Sequence, residues 1–589
     1  MTSRSFSIVA LCTLCIAVIV AYSSSLSVPF YLDDISSIVD NTRLLGGSII
    51  EIIHIYGARA LTYITFWANY QLHGTTVLGY HIVNITVHFL TCVVVFLLAH
   101  RLCCLSNNKA CDERSTQYFA LLVALIFAIH PLQSQAVTYI VQRTASLVAL
   151  FYLLALYFFV LARMATVSKH RFIWLMCCLT ASLCAFVTKQ NSATLPVAIA
   201  LVELIFFSST WVRNRKFLWG FIGLCISVIF LGLIRPEQSL ALIDSIDAAT
   251  RETPNISRLE YLDTQLHVVA GYLYTFFWPQ HLQLEYDVSL QAGDFSSSYG
   301  YLILHLSLIL FALSMMKRQP LVAFGILFYY LSQMVESSVV PIRDVVFEHR
   351  TYLPNFGLIL AGGGGIYWLM RLLYARWPSN IKWINSTVGL IFGILCVALT
   401  ILTVQRNQLW QDPIRFYQNE LKYSANKPRV HNALGQSYMA EEEWGLAADS
   451  FREAFFLEFE SGIYGFEARY LSNYVAALKN GGETEKAIQT TLEFLDVAKD
   501  RKSRSLLMTN LGYMFIQLRD GQRAYTAFEE ALKVGRNQAP LEANLGMGLS
   551  LWALKRPSDA KVFFQRVLVM DPTHSYARQL LKQLASLGY

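Results

Sequence analysis

The stretch Leu78–Ala99, LGYHIVNITVHFLTCVVVFLLA, decides the fold class of this 589-residue chain. It carries no Asp, Glu, Lys or Arg, and as a helix it is long enough to cross a bilayer core, which takes about 20 residues. The whole chain shares this character, with 55% hydrophobic and only 15% charged residues. Soluble globular chains have about 25% charged residues. We therefore predict a polytopic membrane protein.

Eleven apolar runs of this kind are predicted to span the membrane: 7–27, 78–99, 117–130, 144–162, 172–187, 192–209, 217–234, 299–316, 320–336, 351–370 and 384–404. The net charge of +7 comes mainly from Lys and Arg in the short loops between these runs. Basic short loops stay in the cytoplasm, so this pattern sets the topology and implies no nucleic-acid partner. We expect the N-terminus to share the side of these loops.

Two long segments, 28–77 and 235–298, fall on the other side of the predicted membrane and carry few basic residues for their length. Part of the second one, 261–279, is apolar enough to suggest a span but contains Asp263 and His267. An interfacial or re-entrant helix fits that composition better. An odd number of spans places the C-terminal part of the chain on this non-cytoplasmic side as well.

From Trp410 onward the composition becomes polar, and similar segments recur with a period near 34 residues. Small and aromatic residues stand at fixed offsets in three copies: Gly435, Tyr438, Ala447, Phe451 and Ala454; Gly512, Phe515, Ala524, Phe528 and Ala531; Gly548, Ala560, Phe564 and Pro572. This spacing is typical of tetratricopeptide repeats, whose paired helices stack into a superhelix. We predict that 406–589 forms an α-solenoid whose concave face binds a partner protein.

The first external segment opens with two adjacent carboxylates, Asp33 and Asp34, within a few residues of the first span. An Asp at a membrane boundary often only caps a helix or a turn. A partly desolvated carboxylate at this level is also suited to take the proton of a hydroxyl that attacks a lipid-borne donor. Both interpretations are open at this point.

Four cations are predicted near the membrane on the same side: Arg59, Arg143, Lys189 and Arg350. Taken singly, each is suited to contact lipid headgroups. Together they would form an anion site for a lipid-linked phosphate, since Arg makes forked contacts to phosphate oxygens and Lys acts as a point charge. Arg350 has no evident packing role in the sequence.

Polar residues also occur inside the predicted spans. His81, Asn84 and His88 share one face of the second span, and Glu336 lies in the ninth. Such groups usually face the bundle interior, where we expect interhelical hydrogen bonds. The eleven cysteines form no disulfide framework and no zinc-finger spacing, so no metal site is predicted.

In order and spacing, the chain resembles the transmembrane and tetratricopeptide-repeat O-mannosyltransferase-like family of the GT-C glycosyltransferase superfamily. The matching stretches are Leu32-Asp33-Asp34; Arg59-Ala-Leu-Thr; Gly79-Tyr-His-Ile-Val-Asn84 with His88; Phe127-Ala-Ile-His-Pro131 with Arg143; Lys189-Gln190; Trp278-Pro-Gln-His-Leu282 with Tyr286; Glu348-His-Arg-Thr-Tyr-Leu-Pro354; and Arg406-Asn-Gln-Leu-Trp410. They cover nearly the whole chain.

The resemblance implies an all-α architecture, with a GT-C-type transmembrane helix bundle over 1–405 followed by the repeat domain over 406–589. It assigns the catalytic base to Asp33, with Asp34 as helper or alternative base. Binding of the donor phosphate falls to Arg350, Lys189, Arg143 and Arg59. Supporting roles fall to Glu348, His349, His81 and His130.

The function implied is an integral membrane enzyme that moves a sugar from a polyprenyl-phosphate carrier to a Ser or Thr hydroxyl of a protein, with inversion. The expected partners are the lipid-linked donor, the bilayer and an acceptor protein held by the repeats. A divalent metal is not expected, because two adjacent aspartates are too few to demand one. The bacterial inner membrane is favoured over the endoplasmic reticulum. A lipid-linked sugar ligase or transporter and a non-catalytic membrane-anchored scaffold are the alternatives.

Overall fold

The computed structural model describes residues 3–106, 113–207, 256–342, 344–461, 468–496, 498 and 500–589. Within these ranges the chain forms α-helices with short 3₁₀ and π turns, and it contains no β-strand. The chain divides into two compact units, Met1–Asp412 and Pro413–Tyr589, which we call the membrane unit and the repeat unit. The all-α architecture predicted from the sequence is confirmed.

The membrane unit consists of α-helices of very different lengths. They are Ser3–Tyr22, Thr42–Gly46, Ile49–Tyr56, Ala60–His73, Val77–Ser106, Glu113–Ile129, Ser134–Thr138, Arg143–Met164, Ser168–Phe186, Leu195–Val202, Arg258–Phe277, Tyr299–Met315, Pro320–Gln333, Tyr352–Arg376 and Ile381–Leu409. Short 3₁₀ turns continue several of them, among them Pro131–Gln133, Ile140–Gln142, Gln190–Thr194 and Glu348–Thr351.

Seven helical stretches are long and apolar enough to cross a membrane: Ser5–Ser27, Ile49–His73, Val77–Ser106, Ile140–Met164, Gln190–Phe207, Glu348–Arg376 and Pro378–Leu409. A bent pair, Glu113–Ile129 with Pro131–Thr138, makes an eighth if it acts as one span. Six of these stretches and the bent pair coincide with predicted spans. The helices at the predicted spans 299–316 and 320–336 are shorter, with 17 and 14 residues.

The remaining differences lie at three places. The predicted span 172–187 coincides with the Ser168–Phe186 helix, which begins with the polar sequence Ser-Lys-His-Arg and is not among the seven stretches. The predicted span 217–234 lies outside the described residues. The segment 28–77, expected as an external loop, contains the apolar Ile49–His73 stretch, which Gly57 interrupts with a positive φ of 46°. The count of eleven spans therefore stays a prediction.

The Arg258–Phe277 helix, which contains Asp263 and His267, is not among the membrane-crossing candidates. Ser257 caps its first turn reciprocally with Glu260, an arrangement that satisfies two otherwise unpaired N–H groups. Inside the helix, the fully buried Asp263 carboxylate accepts hydrogen bonds from the N–H groups of Gly293 and Phe295. This helix therefore anchors an extended loop.

Two helices of the membrane unit approach each other at glycines. A Cβ atom placed on Gly325 would lie 2.4 Å from the carbonyl oxygen of Gly357, and one on Gly357 would lie 2.5 Å from that of Gly325. Such distances allow no side chain at either position. Small residues permit this kind of close packing between helices in a membrane. The contact fixes the Pro320–Gln333 helix against the Tyr352–Arg376 helix, whose neighbouring turns carry candidate site residues.

The repeat unit is a series of antiparallel helix pairs. Its helices are Pro413–Leu421, Pro428–Ala440, Trp444–Ser461, Ala468–Asn480, Thr484–Leu495, Arg501–Gln517, Gly521–Gly535, Leu541–Ala553, Pro557–Met570 and Ser575–Ser586. Three pairs repeat one contact, in which a glycine faces a phenylalanine sixteen residues later: Gly435 with Phe451, Gly512 with Phe528 and Gly548 with Phe564. These aromatic and small residues form the solenoid core, as their spacing predicted.

Candidate functional site

The candidate site is built where helices of the membrane unit break. The Glu113–Ile129 helix ends before His130-Pro131, and the chain bends there by 58°. Lys189 is extended, with φ −161° and ψ 146°, between the Ser168–Phe186 helix and the Gln190–Thr194 turn. Phe347 is extended before the Glu348–Thr351 turn. Broken helices at membrane level are typical of polar sites, because their freed backbone groups need partners.

The two adjacent aspartates have different environments. Asp34 is 1% exposed, and its carboxylate oxygens accept hydrogen bonds from the backbone N–H groups of Tyr31 at 3.0 Å and Val141 at 2.7 Å. Asp33 is partly exposed, and its N–H donates to the hydroxyl of Tyr139 at 2.9 Å. Leu32 has a φ of +32°, a value that is rare for a residue with a side chain. The acidic loop is thus a constrained turn with one buried and one accessible carboxyl.

Burial determines the protonation of the inner aspartate. It raises the pKa of Asp34 to about 8, although the backbone N–H groups of Tyr31 and Val141 act in the opposite direction. Near neutral pH this carboxyl is therefore mostly protonated. A protonated, hydrogen-bonded group is a poor proton acceptor, so Asp34 is suited to holding the loop and Asp33 to receiving a proton.

The side chain of Trp410 supports the acidic loop. Trp410 is fully buried. Its carbonyl oxygen accepts a hydrogen bond from the Tyr31 hydroxyl at 2.5 Å, and its ring packs edge-on against that of Tyr31 at 5.0 Å. The Tyr139 ring lies 5.8 Å away on the same indole, and the Arg406 guanidinium lies 5.6 Å from it. One aromatic side chain therefore joins the acidic loop to Arg406.

Basic residues gather around Glu336. Lys189 pairs with its carboxylate at 2.6 Å, and both side chains are about nine-tenths buried. Arg350 and the exposed Arg59 also act on this carboxylate electrostatically. A hydrogen bond from the Leu61 N–H to the Val187 carbonyl holds the Arg59 turn beside the extended residue Lys189. Three of the four predicted phosphate ligands thus surround a single carboxylate, and we call this group the cation cluster.

Arg350 has a structural role that the sequence did not reveal. Its guanidinium donates hydrogen bonds to the carbonyl oxygens of Asp344 and of Val345, the latter at 3.0 Å. It also lies 5.7 Å from the ring centre of Phe347, which favours a cation–π contact. The expectation that Arg350 lacks a packing role is therefore wrong, because the loop 344–347 folds around it.

Arg143, the fourth predicted phosphate ligand, is fully buried in a network of its own. It donates to the Asn84 side chain at 2.6 Å, to the Thr65 hydroxyl at 3.0 Å and to the Tyr80 carbonyl at 3.1 Å. Its guanidinium also lies 4.6 Å from the ring centre of Phe66. This network would have to open before Arg143 could bind a phosphate, so its position favours a supporting role.

The polar residues of the second span form interhelical hydrogen bonds. His81 Nε2 lies 2.8 Å from the Val28 carbonyl, and Asn84 donates to the Val137 carbonyl at 3.0 Å. His88 Nδ1 lies 2.7 Å from the Tyr352 hydroxyl. These contacts tie the Val77–Ser106 helix to three other parts of the unit.

The first two residues of the Glu348–Thr351 turn, Glu348 and His349, each form polar contacts with another part of the membrane unit. Glu348 is 1% exposed and accepts hydrogen bonds from the Gln283 N–H and, at 2.8 Å, from the Tyr286 hydroxyl, while Arg406 approaches it at 3.8 Å. Burial and the Glu348 carboxylate raise the pKa of Tyr286 well above its ordinary value, so this phenol remains a donor. The next residue, His349, contacts the side-chain oxygen of Gln135 through its N–H at 2.6 Å and Nδ1 at 3.0 Å.

His130 stabilises the bend between the Glu113–Ile129 helix and the segment that begins at Pro131. Its Nδ1 accepts a hydrogen bond from the Leu132 N–H at 3.2 Å, and Nε2 lies 3.0 Å from the Phe276 carbonyl. The imidazole also stacks on the Phe276 ring at 4.9 Å. His130 therefore supports the backbone of the site.

Sequence reasoning missed Tyr139, Gln135 and Trp410 as parts of the site. Arg406 and Trp410 belong to the last motif before the repeats, and that motif was the available signal for them. Nothing in the spacing indicated that Glu336 pairs with Lys189, since 147 positions separate them in the chain. Among the described residues, no group of three or more His, Cys, Asp or Glu side chains is arranged to hold a metal ion.

Comparison with known proteins supports the resemblance seen in the motifs. No protein-family model matches the chain. The chain is 25% identical over 455 residues to protein O-mannosyl-transferase F38B6.6 of Caenorhabditis elegans. This alignment covers 71% of this chain and 58% of that protein. It is 23% identical over 672 residues to protein O-mannosyl-transferase TMTC3 of Homo sapiens, covering 96% of this chain and 68% of the human one.

Among solved structures, a protein described as Pseudomonas aeruginosa pilF shares 22% identity and a TM-score of 0.25, covering 34% of this chain and 83% of that one. The chain spans a little over half to two thirds of the length of the curated relatives named above. Over that span, it is similar in sequence to the protein O-mannosyl-transferases of animals, as its motifs predicted.

Proposed function

We propose that this chain is an integral membrane glycosyltransferase of GT-C architecture that moves a sugar from a polyprenyl-phosphate carrier to a protein hydroxyl. The observation that carries the proposal is the arrangement of the site. One continuous segment contacts both parts of the site: the Tyr139 hydroxyl accepts a hydrogen bond from the backbone N–H of Asp33, the proposed proton acceptor, and Gln135 contacts His349, which borders the cation cluster that can hold a phosphate. Base and leaving-group stabiliser are the two functions that this reaction needs.

In the proposed step, a Ser or Thr hydroxyl oxygen forms a bond to the anomeric carbon of the sugar. The bond from that carbon to the phosphate oxygen breaks, and the phosphate leaves with the electron pair. Asp33 takes the hydroxyl proton. A single displacement of this kind inverts the anomeric centre, because the nucleophile and the leaving group lie on opposite faces of the sugar.

Lys189 and Arg350 are proposed to stabilise the leaving phosphate, with Arg59 at the exposed edge. Their charge exceeds that of Glu336, which holds the cluster together, so the cluster retains affinity for an anion. Because Arg350 also supports its own loop, we assign Lys189 the larger direct contribution. Arg143 is proposed to hold the acidic loop through its contacts to the second span. We propose no metal, and transfer that survives a chelator such as EDTA is the expected result.

The names of the relatives favour mannose as the sugar. We propose the non-cytoplasmic face of the membrane for the reaction, on the basis of the basic short loops. The relatives are animal proteins and do not favour the bacterial inner membrane that the sequence suggested, so the proposal names the side and not the organelle. The repeat unit is proposed to hold the acceptor protein and thereby raise its local concentration.

The test is transfer by the purified full chain in lipid vesicles that contain polyprenyl-phosphate mannose, with mass spectrometry of a Ser- and Thr-rich acceptor protein. We expect added hexose on the acceptor with the lipid donor and none with a nucleotide-linked mannose. Equal transfer from the nucleotide sugar would contradict the proposed donor. Lack of transfer from either donor, with the chain folded, would favour the non-catalytic scaffold.

A further inference from the structure

The segment Pro131–Tyr139 connects the two halves of the proposed site. At its end, the Tyr139 hydroxyl accepts the hydrogen bond of the Asp33 N–H. Near its middle, Gln135 contacts His349, the residue before Arg350. Lys189 and Arg350 both act electrostatically on His349, so this imidazole borders the cation cluster. The segment therefore contacts the residue proposed as the base and the chain neighbour of the proposed phosphate ligand Arg350.

Buried amide groups on this segment lack partners. Gln133 is fully buried, and neither its side-chain nitrogen nor its side-chain oxygen has a hydrogen-bond partner among the described residues. Gln135 is also fully buried, and its side-chain nitrogen is without a partner there while its oxygen serves His349. A buried amide that forms no hydrogen bond destabilises the fold, because it has lost its contacts to water without replacing them. Two such residues, separated only by Ser134, indicate that a polar ligand completes their hydrogen bonding.

The reaction geometry identifies what that ligand is. In a displacement with inversion, the sugar ring must lie between the base and the leaving phosphate. The segment that contacts both of these parts of the site is suited to face the sugar. A sugar hydroxyl both donates and accepts, and an amide side chain offers two N–H donors and one carbonyl acceptor. Neutral amides also leave the cation cluster available to the phosphate.

We propose that Gln133 and Gln135 form the sugar-recognition subsite of the donor, where they hydrogen-bond the hydroxyl groups of the transferred hexose. This inference rests on the proposed function, since it takes the donor to be a polyprenyl-phosphate sugar. Gln133 contributes the larger part, because both of its polar atoms are available. Gln135 contributes its nitrogen and positions His349.

The test compares two probes, polyprenyl-phosphate mannose and bare polyprenyl phosphate, by their binding to the full chain in detergent micelles. For Gln133→Met, an apolar substitution of similar length, we expect affinity for the mannosyl carrier to fall about tenfold and affinity for the bare carrier to stay unchanged. Ser134→Ala is the matched control, because the buried Ser134 hydroxyl already donates to the neighbouring Pro131 carbonyl. An equal loss of affinity for both carriers in Gln133→Met would overturn the inference.

Deoxy-mannose carriers provide a measurement on the unmodified protein. At least one of the 2-, 3-, 4- and 6-deoxy donors should bind about tenfold more weakly to the wild type, and Gln133→Met should weaken that donor no further. Additive losses of affinity for all four donors would refute the assignment.

If the wild type prefers the mannosyl carrier but transfers no sugar, the proposed function fails while the subsite stands. If the wild type transfers sugar and Gln133→Met binds both probes normally, only the subsite fails.

Discussion

Ion pairs occur in both units of the chain, but they differ in their exposure to solvent. In the membrane unit, the Lys189 and Glu336 side chains are 10% and 12% exposed, and those of Arg406 and Glu348 are 6% and 1% exposed. In the repeat unit, Arg556 pairs with Asp559 at the start of the Pro557–Met570 helix, and these side chains are 54% and 51% exposed. The buried pairs of the membrane unit lie near the breaks between its helices, whereas the exposed pair of the repeat unit lies on a solvated surface.

The difference separates residues retained for chemistry from residues that solubilise a surface. Burying a charge costs several kcal/mol, and a buried pair is often no more stable than the apolar side chains that could replace it. Exposed pairs contribute about 0–1 kcal/mol and cost little. Charges that persist inside the membrane unit therefore indicate a function beyond stability, and the predictions below test this distinction.

The largest expected effect on stability is that of Glu348→Ala. This change removes the acceptor of the Tyr286 hydroxyl and the carboxylate that lies 3.8 Å from the buried Arg406 guanidinium. Breaking a buried pair in this way typically costs about 3–5 kcal/mol. Thermal unfolding of the full chain in detergent should show a clear drop in the midpoint of the membrane unit. An unchanged midpoint would mean that the buried pair is not coupled to the fold.

Removal of the repeat unit should affect one class of acceptor only. A chain that ends at Asp412 retains every residue of the proposed site and loses the predicted acceptor-binding surface. Transfer to a short Ser- and Thr-containing peptide should persist, while transfer to the full acceptor protein should fall about a hundredfold, the range in which tethering acts. Full activity on the protein acceptor would contradict recruitment by the repeats.

The buried Asp34 predicts how stability changes with pH. Its pKa in the folded chain is about 8, above the ordinary value of 3.8, so the folded state binds this proton more tightly than the unfolded state. The resulting stabilisation is complete below about pH 4 and is lost as the pH rises through about 8. From about pH 5 to pH 9, the wild-type unfolding midpoint should fall more steeply than that of Asp34→Asn. Parallel profiles would refute this assignment.

The smallest expected effect is that of Arg556→Ala in the repeat unit. The exposed pair with Asp559 is screened by water and salt, so its loss should change the free energy of unfolding by about 0–1 kcal/mol. Denaturant titration of the full chain, with the repeat-unit transition followed separately, measures this change. A loss as large as that of Glu348→Ala would remove the contrast between the two units.

The sequence predicted the fold class because its strongest signals are local. Apolar runs such as Leu78–Ala99 and the recurring Gly–Phe spacing of the repeats are visible over a few tens of residues. The Ile49–His73 stretch was missed because polar and aromatic residues interrupt its apolar character and Gly57 divides it. Span counts depend on such borderline segments.

The site was only partly predictable, because its pairings join distant parts of the chain. Motif order pointed to Asp33, Lys189 and Arg350, but it did not reveal that Glu336 holds the cations or that Trp410 supports the acidic loop. The family resemblance assigned the base to Asp33 first, but the sequence did not show that the environments of the two aspartates differ. Only the backbone donors around Asp34 separate a loop-holding carboxyl from an accessible one.

The central claim is that Asp33 is the proton acceptor and Asp34 its structural support. The most direct measurement is the rate of mannose transfer by Asp33→Asn and Asp34→Asn, with binding of polyprenyl-phosphate mannose measured on the same preparations. We predict that Asp33→Asn binds the donor normally and loses transfer by about a hundredfold or more, as expected for removal of a general base. Asp34→Asn should retain most transfer at neutral pH, because the native carboxyl is already mostly protonated there. Normal transfer by Asp33→Asn, together with its loss in Asp34→Asn, would contradict the assignment.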